Sequence, residues 1–539
     1  MRRILSALVV VLTLIALVPA GASAAVTGQE WNWMVVAGDL EKAGSIDDAM
    51  EIWAKLVESL RTHNLEACGN YAKKLGQALD DRGRFTEALA AYEAEIECWG
   101  QLEDPAYAEG ILPHLRRVEQ LRPEIRAFVA RPTEGAPTGK LAKNEPAFGT
   151  MLGGALDLDT AVKGDPDKVA AAYGKPYAMS LVYVSWNSFA SHVATREIWA
   201  KSPALQVSWE PTDGLEAVFT DTAYIRKFAQ ELKAWGRPIF LRFASEMNGN
   251  WTAWHEPQDL YRKAFQEVAG IMRTDAPNVA MVWSPNYVGD QDYHLYYPGD
   301  EFVDWVGING YTEAHFLGRL DTSQKDADIF YQGKRTNPLD KFRAIYNEYS
   351  PRKPIMISET GFGWANRSPY VDESAWAAEA MERFYGYLPL VFPRIKAVAY
   401  FNVDVQANPR VPSTSHYVLS GNRLMTDTYK RVTASDWYLS RPGASPTFWR
   451  PVEQATLIGP TQVSAYVNLP NGVSRVSYLL DGVVKGTANR LPWTANVDFS
   501  GLTGVHTLTV VAYDKTGAEG YRRDYTFDAS AIKVKLNGR

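Results

Sequence analysis

The chain has 539 residues, is 46% hydrophobic and 22% charged, and carries a net charge of −6 at neutral pH. That length exceeds what one hydrophobic core organises and implies roughly two to four domains. The mild negative charge gives no reason to expect nucleic acid or an anionic membrane as a partner.

The first residues run Arg2-Arg3, an apolar stretch from Ile4 to Val18, then Pro19-Ala-Gly-Ala-Ser-Ala24. Charged, apolar and small residues in that order spell a secretory signal cleaved after Ala24. The alternative is an uncleaved anchor, but the stretch is shorter than the ~20 residues a spanning helix needs. The expectation is a secreted or extracellular protein, at the cell surface or in the periplasm, with no stable membrane insertion after cleavage. An exported chain can oxidise its two cysteines, Cys68 and Cys98. They lie at opposite ends of two successive helical segments, where an antiparallel hairpin makes a disulfide; two buried free thiols are the alternative.

Residues 28–130 read as a helical module. Leu40-Glu-Lys-Ala-Gly44-Ser-Ile-Asp-Asp-Ala49-Met-Glu-Ile-Trp53 parallels Leu79-Asp-Asp-Arg-Gly83-Arg-Phe-Thr-Glu-Ala88-Leu-Ala-Ala-Tyr92. The glycines close one helix, the alanines pack at a crossing and the aromatics fill the groove between helices. This resembles tetratricopeptide hairpins, whose repeat is ~34 residues; a generic helical bundle is the alternative. Either is expected to serve a protein partner rather than chemistry.

A Pro/Gly-rich link at 131–145 is followed, over 146–440, by apolar runs alternating with amphipathic helices. Strands are predicted at 148–156, 177–186, 204–210, 238–246, 279–286, 303–311, 354–359 and 397–404. Eight such units over about 300 residues are the size and rhythm of a (β/α)8 barrel; a doubly wound open sheet is the runner-up, but no phosphate-binding Gly-rich loop follows any strand. Residues 450–535 lose helical periodicity. They alternate as in His506-Thr-Leu508-Thr-Val510-Val-Ala512, with turn signals at Asn471-Gly472 and Asp481-Gly482. The expected fold is therefore multidomain: a central (β/α)8 barrel, an N-terminal α-helical repeat module and a C-terminal β-sandwich that resembles a bacterial immunoglobulin-like domain.

Two predicted strands end in a glutamate. One is Pro238-Ile-Phe-Leu-Arg-Phe-Ala-Ser-Glu246-Met-Asn-Gly-Asn-Trp251, and the other is Pro354-Ile-Met-Ile-Ser-Glu359-Thr-Gly-Phe362. A carboxylate at the mouth of a barrel strand is desolvated and rigidly held. Alone, either would be a structural salt bridge. Together, fourth and seventh in strand order, they make the acid and nucleophile of a retaining glycosidase, which needs two carboxyls ~5–5.5 Å apart. Arg242, two residues before the end of the fourth strand pattern's last apolar step, shares a face with the acid and can donate to the nucleophile.

Glu246-Met-Asn-Gly-Asn-Trp251 resembles the acid/base motif of glycoside hydrolase family 26, and Ile357-Ser-Glu359-Thr-Gly361 resembles its nucleophile motif, over most of residues 145–440. The resemblance implies a secreted endo-β-glycosidase acting on a mannan-like polysaccharide, with Glu246 as acid/base and Glu359 as nucleophile. It also implies a tyrosine after strand six that holds the nucleophile, which Tyr311 of Gly307-Ile-Asn-Gly-Tyr311 supplies. The family usually has His before the acid; here Ser245 stands there, which points toward another β-glycan or the producer's own exopolysaccharide.

The chain is rich in aromatics, with 17 Trp and 28 Tyr. Trp251, Trp254, Trp209, Trp283 and Trp364 fall where a sugar would stack, against an alternative of barrel packing. Asn248 and Asn286 are candidate donors to sugar hydroxyls. No cofactor and no metal are expected: His255 and His294 lack partners at metal-ligand spacing. The rival from another class is a non-catalytic scaffold holding glycan in a surface polysaccharide machine, and the presence of both carboxylates argues against it.

Overall fold

The computed structural model describes residues 25–134, 136, 139–255, 257–287, 292–316, 319–320, 337–367, 370–403 and 415–532. The proposed signal segment, residues 1–24, lies outside them, as do Asp404 at the end of the eighth predicted strand and residues 533–535 of the expected sandwich.

Contacts divide the chain into two units, the first running to Pro123 and including Asn468–Gly472. Its described residues form five helices: α1 (Gly28–Lys42), α2 (Ile46–Leu60), α3 (Leu65–Asp81), α4 (Phe85–Trp99) and α5 (Pro105–Leu121). A capping box starts α1: Glu30 N donates to Thr27 Oγ1 at 3.2 Å and Thr27 N to Glu30 Oε2 at 2.7 Å. Gly44 and Gly83 take φ of 76° and 71° just past α1 and α3, a left-handed turn that favours glycine. The two parallel stretches fold alike: Ala49 and Ala88 are fully buried, and Trp53 and Tyr92 fill equivalent core places. Cys68 opens α3, Cys98 ends α4, and the two form a disulfide with Cα atoms 6.2 Å apart.

The second unit holds a barrel and a sandwich. The barrel strands are β1 (Thr150–Ala155), β2 (Met179–Ser185), β3 (Leu205–Glu210), β4 (Ile239–Phe243), β5 (Val279–Trp283), β6 (Trp305–Thr312), β7 (Ile355–Phe362) and β8 (Ile395–Tyr400). Each pairs in parallel with the next, and β8 pairs with β1, so the sheet closes. All eight lie at the places the sequence indicates. Helices such as Thr222–Trp235, Gln258–Asp275, Asp340–Tyr349 and Ser374–Val391 connect them. Met151, Met179, Leu181, Phe240, Ala280, Val282, Trp305, Met356, Ala397 and Ala399 form one buried cluster, and their alternation identifies the inward-facing parity of each strand.

The sandwich departs from expectation in one interior strand. Glu124–Pro132 is a strand, not the end of a helical module and the start of a link. It pairs antiparallel with Thr447–Pro451, Phe128 opposite Pro451, and sits in a sheet ordered 447–451, 124–132, 460–468, 493–498. Ile125, Ala127 and Val129 alternate into the core. A second sheet is ordered 483–488, 475–480, 505–513, 519–528. The chain thus lays down one sandwich strand, builds the whole barrel, and returns to finish the sandwich. Tyr387 of the barrel ties the two, donating to Val467 O at 2.8 Å and accepting from Trp493 Nε1 at 3.0 Å.

Candidate active site

β4 points Phe240 and Arg242 inward and Phe243 outward. Beyond it the chain turns sharply, with Ala244 and Glu246 at φ of 47° and 59°, conformations that non-glycine residues seldom adopt and that cluster at functional sites. Two backbone bonds hold the turn: Ala244 N donates to Trp209 O at 2.9 Å and Glu246 N to Ser284 O at 2.8 Å. Trp254 Nε1 adds a bond to Ser245 O at 2.7 Å. Across the mouth, the register of β7 against β6 shifts between Ile357 and Glu359. Such an irregularity re-aims a side chain at a barrel rim, and it delivers Glu359 beside Arg242 and Tyr311.

The two carboxylates are held by different kinds of donor. Glu359 is buried, pairs with the Arg242 guanidinium, and accepts from Tyr311 Oη at 2.5 Å. Glu246 makes no ion pair among the described residues and is held by neutral donors. Its Oε1 accepts from Asn286 Nδ2 and Asn309 Nδ2, each at 2.7 Å, and its Oε2 from Trp251 Nε1 at 2.8 Å. Asn309 bridges the two halves, because its Oδ1 accepts from Arg242 at 2.8 Å.

The electrostatics follow from these partners. Burial, then the charge of Glu359, pushes the Glu246 carboxyl above its ordinary value, while the Asn309, Trp251 and Asn286 donors pull it back part of the way. Burial opposes the Arg242 charge, but Glu359 beside it holds the guanidinium firmly protonated. Burial, then Glu359, drives the Tyr311 hydroxyl far upward, so it stays a donor. One carboxyl is thus biased toward its acid form, and the other sits between a fixed cation and a phenol.

A parallel barrel with two rim carboxylates of unlike environment is the arrangement that glycosidases use. The sequence pattern of Glycosyl hydrolase family 26 matches residues 182–380, and that of a bacterial Ig domain matches 446–510. Endoglucanase H of Acetivibrio thermocellus is 26% identical over 297 residues, 51% of this chain and 31% of that protein. A β-1,3-xylanase of an Alcaligenes species is 33% identical over 192 residues, 34% of this chain and 38% of that one. A mannan endo-1,4-β-mannosidase of Bacillus subtilis is 25% identical over 149 residues, 26% and 34% of the two chains. This chain therefore spans about a third of the length of each of these relatives.

Within this barrel the structure gathers Glu246, Glu359, Arg242, Tyr311, Trp251 and Asn286 at one mouth. Trp251 is half exposed, with its indole N–H on Glu246. Other candidates fall elsewhere. Trp209 and Trp283 are corrections to the sequence reading: both are fully buried on the outward face of their strands. Trp209 stacks on Phe228 of helix Thr222–Trp235 at 4.2 Å, and Trp283 packs against Tyr297 and Tyr349. Neither can touch a sugar. Trp254 and Trp364 are nearly buried; the Trp364 ring lies on His416 and its N–H is given to Val418 O. Asn248 is saturated by the Asn286 main chain, accepting from its N and donating to its O, both at 2.8 Å. Asn286 gives its side-chain amide to Glu246, not to solvent. His294 contacts Asp292 and Glu348, and His255 Nδ1 lies on Thr252 O; no group of three metal-ligating side chains occurs among the described residues.

Sequence reasoning passed over Asn309, Tyr183 and Glu210. Asn309 shares the inward face of β6 with Tyr311, two residues on, so parity alone could have found it. Tyr183 of β2 faces inward too, its ring 5.8 Å from the Arg242 guanidinium. Glu210 ends β3 as a carboxylate at the strand's rim end, the same position that singled out the other two.

Proposed function

We propose that this protein is an exported endo-β-glycanase that cleaves internal β-linkages of a polysaccharide with retention at the anomeric carbon. The observation carrying the proposal is the unequal wiring of Glu246 and Glu359 around Asn309 and Arg242. Glu246, raised by burial and by its neighbour, gives its proton to the glycosidic oxygen as the bond breaks. Glu359, oriented by Arg242 and Tyr311, attacks the anomeric carbon and forms a glycosyl ester. Esterification removes the Glu359 charge, which is the second cause of the raised Glu246 value. Glu246, having given up its proton, now stays ionised and takes a proton from the water that attacks the anomeric carbon, which frees Glu359 as a carboxylate and restores the Glu246 acid.

The substrate is a β-linked glucan, xylan or mannan rather than mannan by default. Ser245 supports this breadth, as it stands where the family usually has His, and it lies buried with its carbonyl occupied by Trp254. The relatives are named for action on different β-glycans. Export agrees with the charged-apolar-small N-terminus and with the Cys68–Cys98 disulfide. The paired hairpins of α1 to α4, tetratricopeptide-like in pattern, are the surface for a protein partner.

The test is product analysis on β-glucan, xylan, mannan and the producer's exopolysaccharide with the wild type, Glu246→Ala and Glu359→Ala. Loss of the proton donor is expected to cost about 10²–10⁴-fold, loss of the nucleophile at least as much, and the first-formed product should keep the β-anomer. Undiminished activity in either variant ends the assignment.

A further inference from the structure

β3 alternates Ala204, Gln206, Ser208 and Glu210 on its inward face. Ala204 joins the barrel's interior cluster, and Gln206 Nε2 reaches across the interior to Ser358 O at 2.9 Å. Trp209, of the opposite parity, packs outward on Phe228. Ser208 is in register with Arg242 of β4, and Glu210 lies one step beyond it, opposite Ser185 of β2. Two bonds fix the Glu210 main chain: its carbonyl accepts from Trp186 N and Thr212 N, each at 2.8 Å. Pro211 then ends the strand. Glu210 is therefore a rigidly presented, partly exposed carboxyl at the mouth, on the side of the cleft formed by β2, β3 and β4. It makes no ion pair among the described residues, because Arg242, the cation nearest in register, is engaged by Glu359 and Asn309.

A carboxyl fixed in a cleft without a cation is costly unless something that binds there satisfies it. Accepting the glycanase reading, on which this step rests, we propose that Glu210 is a substrate-contacting residue that accepts a hydrogen bond from a hydroxyl of the sugar lying over β3 and β4, beside the bond to be cleaved, and so helps set which sugar the enzyme accepts. Its chemistry suits the role. Burial first, and then the charges of Glu359 and Glu246, raise its carboxyl to about 7 against the pull of Arg242, so it is an ionised acceptor above that pH and a protonated one below it. A site built to bond a hydroxyl discriminates by leaving its own polar group unpaired when the wrong sugar binds.

The experiment compares wild type with the near-isosteric Glu210→Gln on β-glucan, xylan and mannan, separating kcat from KM. It adds binding of cellotetraose, xylotetraose and mannotetraose to Glu359→Ala and to Glu359→Ala/Glu210→Gln, neither of which turns substrate over. Assayed at about pH 8, where the Glu210 carboxylate is ionised, loss of a hydrogen bond to a charged group predicts about 10–100-fold lower kcat/KM on the preferred glycan, mostly in KM. It also predicts a matching loss of tetrasaccharide affinity and a changed ratio of rates among the three polymers, with unchanged thermal midpoint at pH 5. Wild-type activity with KM, affinity and preference in Glu210→Gln all within twofold overturns this role and leaves the glycanase reading standing. Wild-type inactivity on every glycan overturns both.

Discussion

Asn309 donates to Glu246 at 2.7 Å while accepting from Arg242 at 2.8 Å, so one amide spans the acid and the cation that fixes its partner. The Asn309 donor favours the Glu246 carboxylate and pulls its titration down. In Asn309→Ala that pull is lost and the Glu246 carboxyl rises further. A general acid fails when it loses its proton, so the alkaline limb of kcat/KM is expected to move to higher pH. The maximal rate should fall by about 10–100-fold, because a buried Arg242 donor is left unpaired. A pH–rate profile checks both; an alkaline limb that moves down would refute the wiring.

Glu210 gives a stability signature independent of any substrate. Its carboxyl titrates near 7 in the fold against an ordinary 4.5. Raised in the folded state, it holds its proton better there than in the unfolded chain, so its contribution is complete below about 4.5 and is lost as pH rises to about 7. Wild type should therefore lose stability relative to Glu210→Gln across that window and not outside it. Denaturant midpoints at pH 4, 5.5, 7 and 8 measure the difference.

Trp251 and Trp209 should fail in opposite ways. Trp251→Ala removes an exposed ring and an N–H donor from Glu246, so the thermal midpoint should hold while KM rises and the alkaline limb climbs. Trp209→Ala excavates the packing between β3 and helix Thr222–Trp235 and should cost about 3–5 kcal/mol of stability. A paired thermal melt and kinetic assay separates them.

The contrast shows what the residues themselves disclose. The eight strands were legible because each is a short apolar run between amphipathic helices, and Glu246 and Glu359 because a carboxylate ending such a run is conspicuous. The facing of the tryptophans was harder. In a barrel both faces of a strand are buried, so hydrophobicity does not distinguish inward from outward. Polar neighbours do: Ser208 and Glu210 flank Trp209 and mark the other parity as the cleft side. The strand Glu124–Pro132 hid because its partners are more than 300 residues away, at Thr447–Pro451, and one short alternation after a long helical stretch is weak local evidence. Asn309 was missed because its role is relational; nothing in an isolated asparagine reveals that a strand-four arginine and a rim glutamate meet at it.

The Cys68–Cys98 bond closes a 30-residue separation between the ends of α3 and α4. Replacing both cysteines by serine should destabilise the helical module by about 2–4 kcal/mol. Hydrogen exchange should show faster opening in α3 and α4, while the barrel strands of the same full-length protein keep their protection.

Lys341 and Tyr311 make the last case. Tyr311 orients Glu359 through its hydroxyl, and its carbonyl is gripped from behind by Lys341 Nζ and by Tyr287 Oη, the latter at 3.1 Å. Lys341 is buried, with its ammonium over the Tyr287 ring at 4.6 Å. Burial pushes its titration down and that of its neighbour Glu313 up, each restrained by the other's charge. Lys341→Met therefore does two separable things: it removes the charge that restrains Glu313, which should lower stability, and it loosens the carbonyl that anchors Tyr311. Adding Glu313→Gln should restore most of the stability by removing the unpaired charge, yet leave kcat depressed, since the Tyr311 carbonyl still lacks its ammonium donor. Recovery of kcat together with stability in the double variant would assign the pair to folding alone and detach it from the nucleophile.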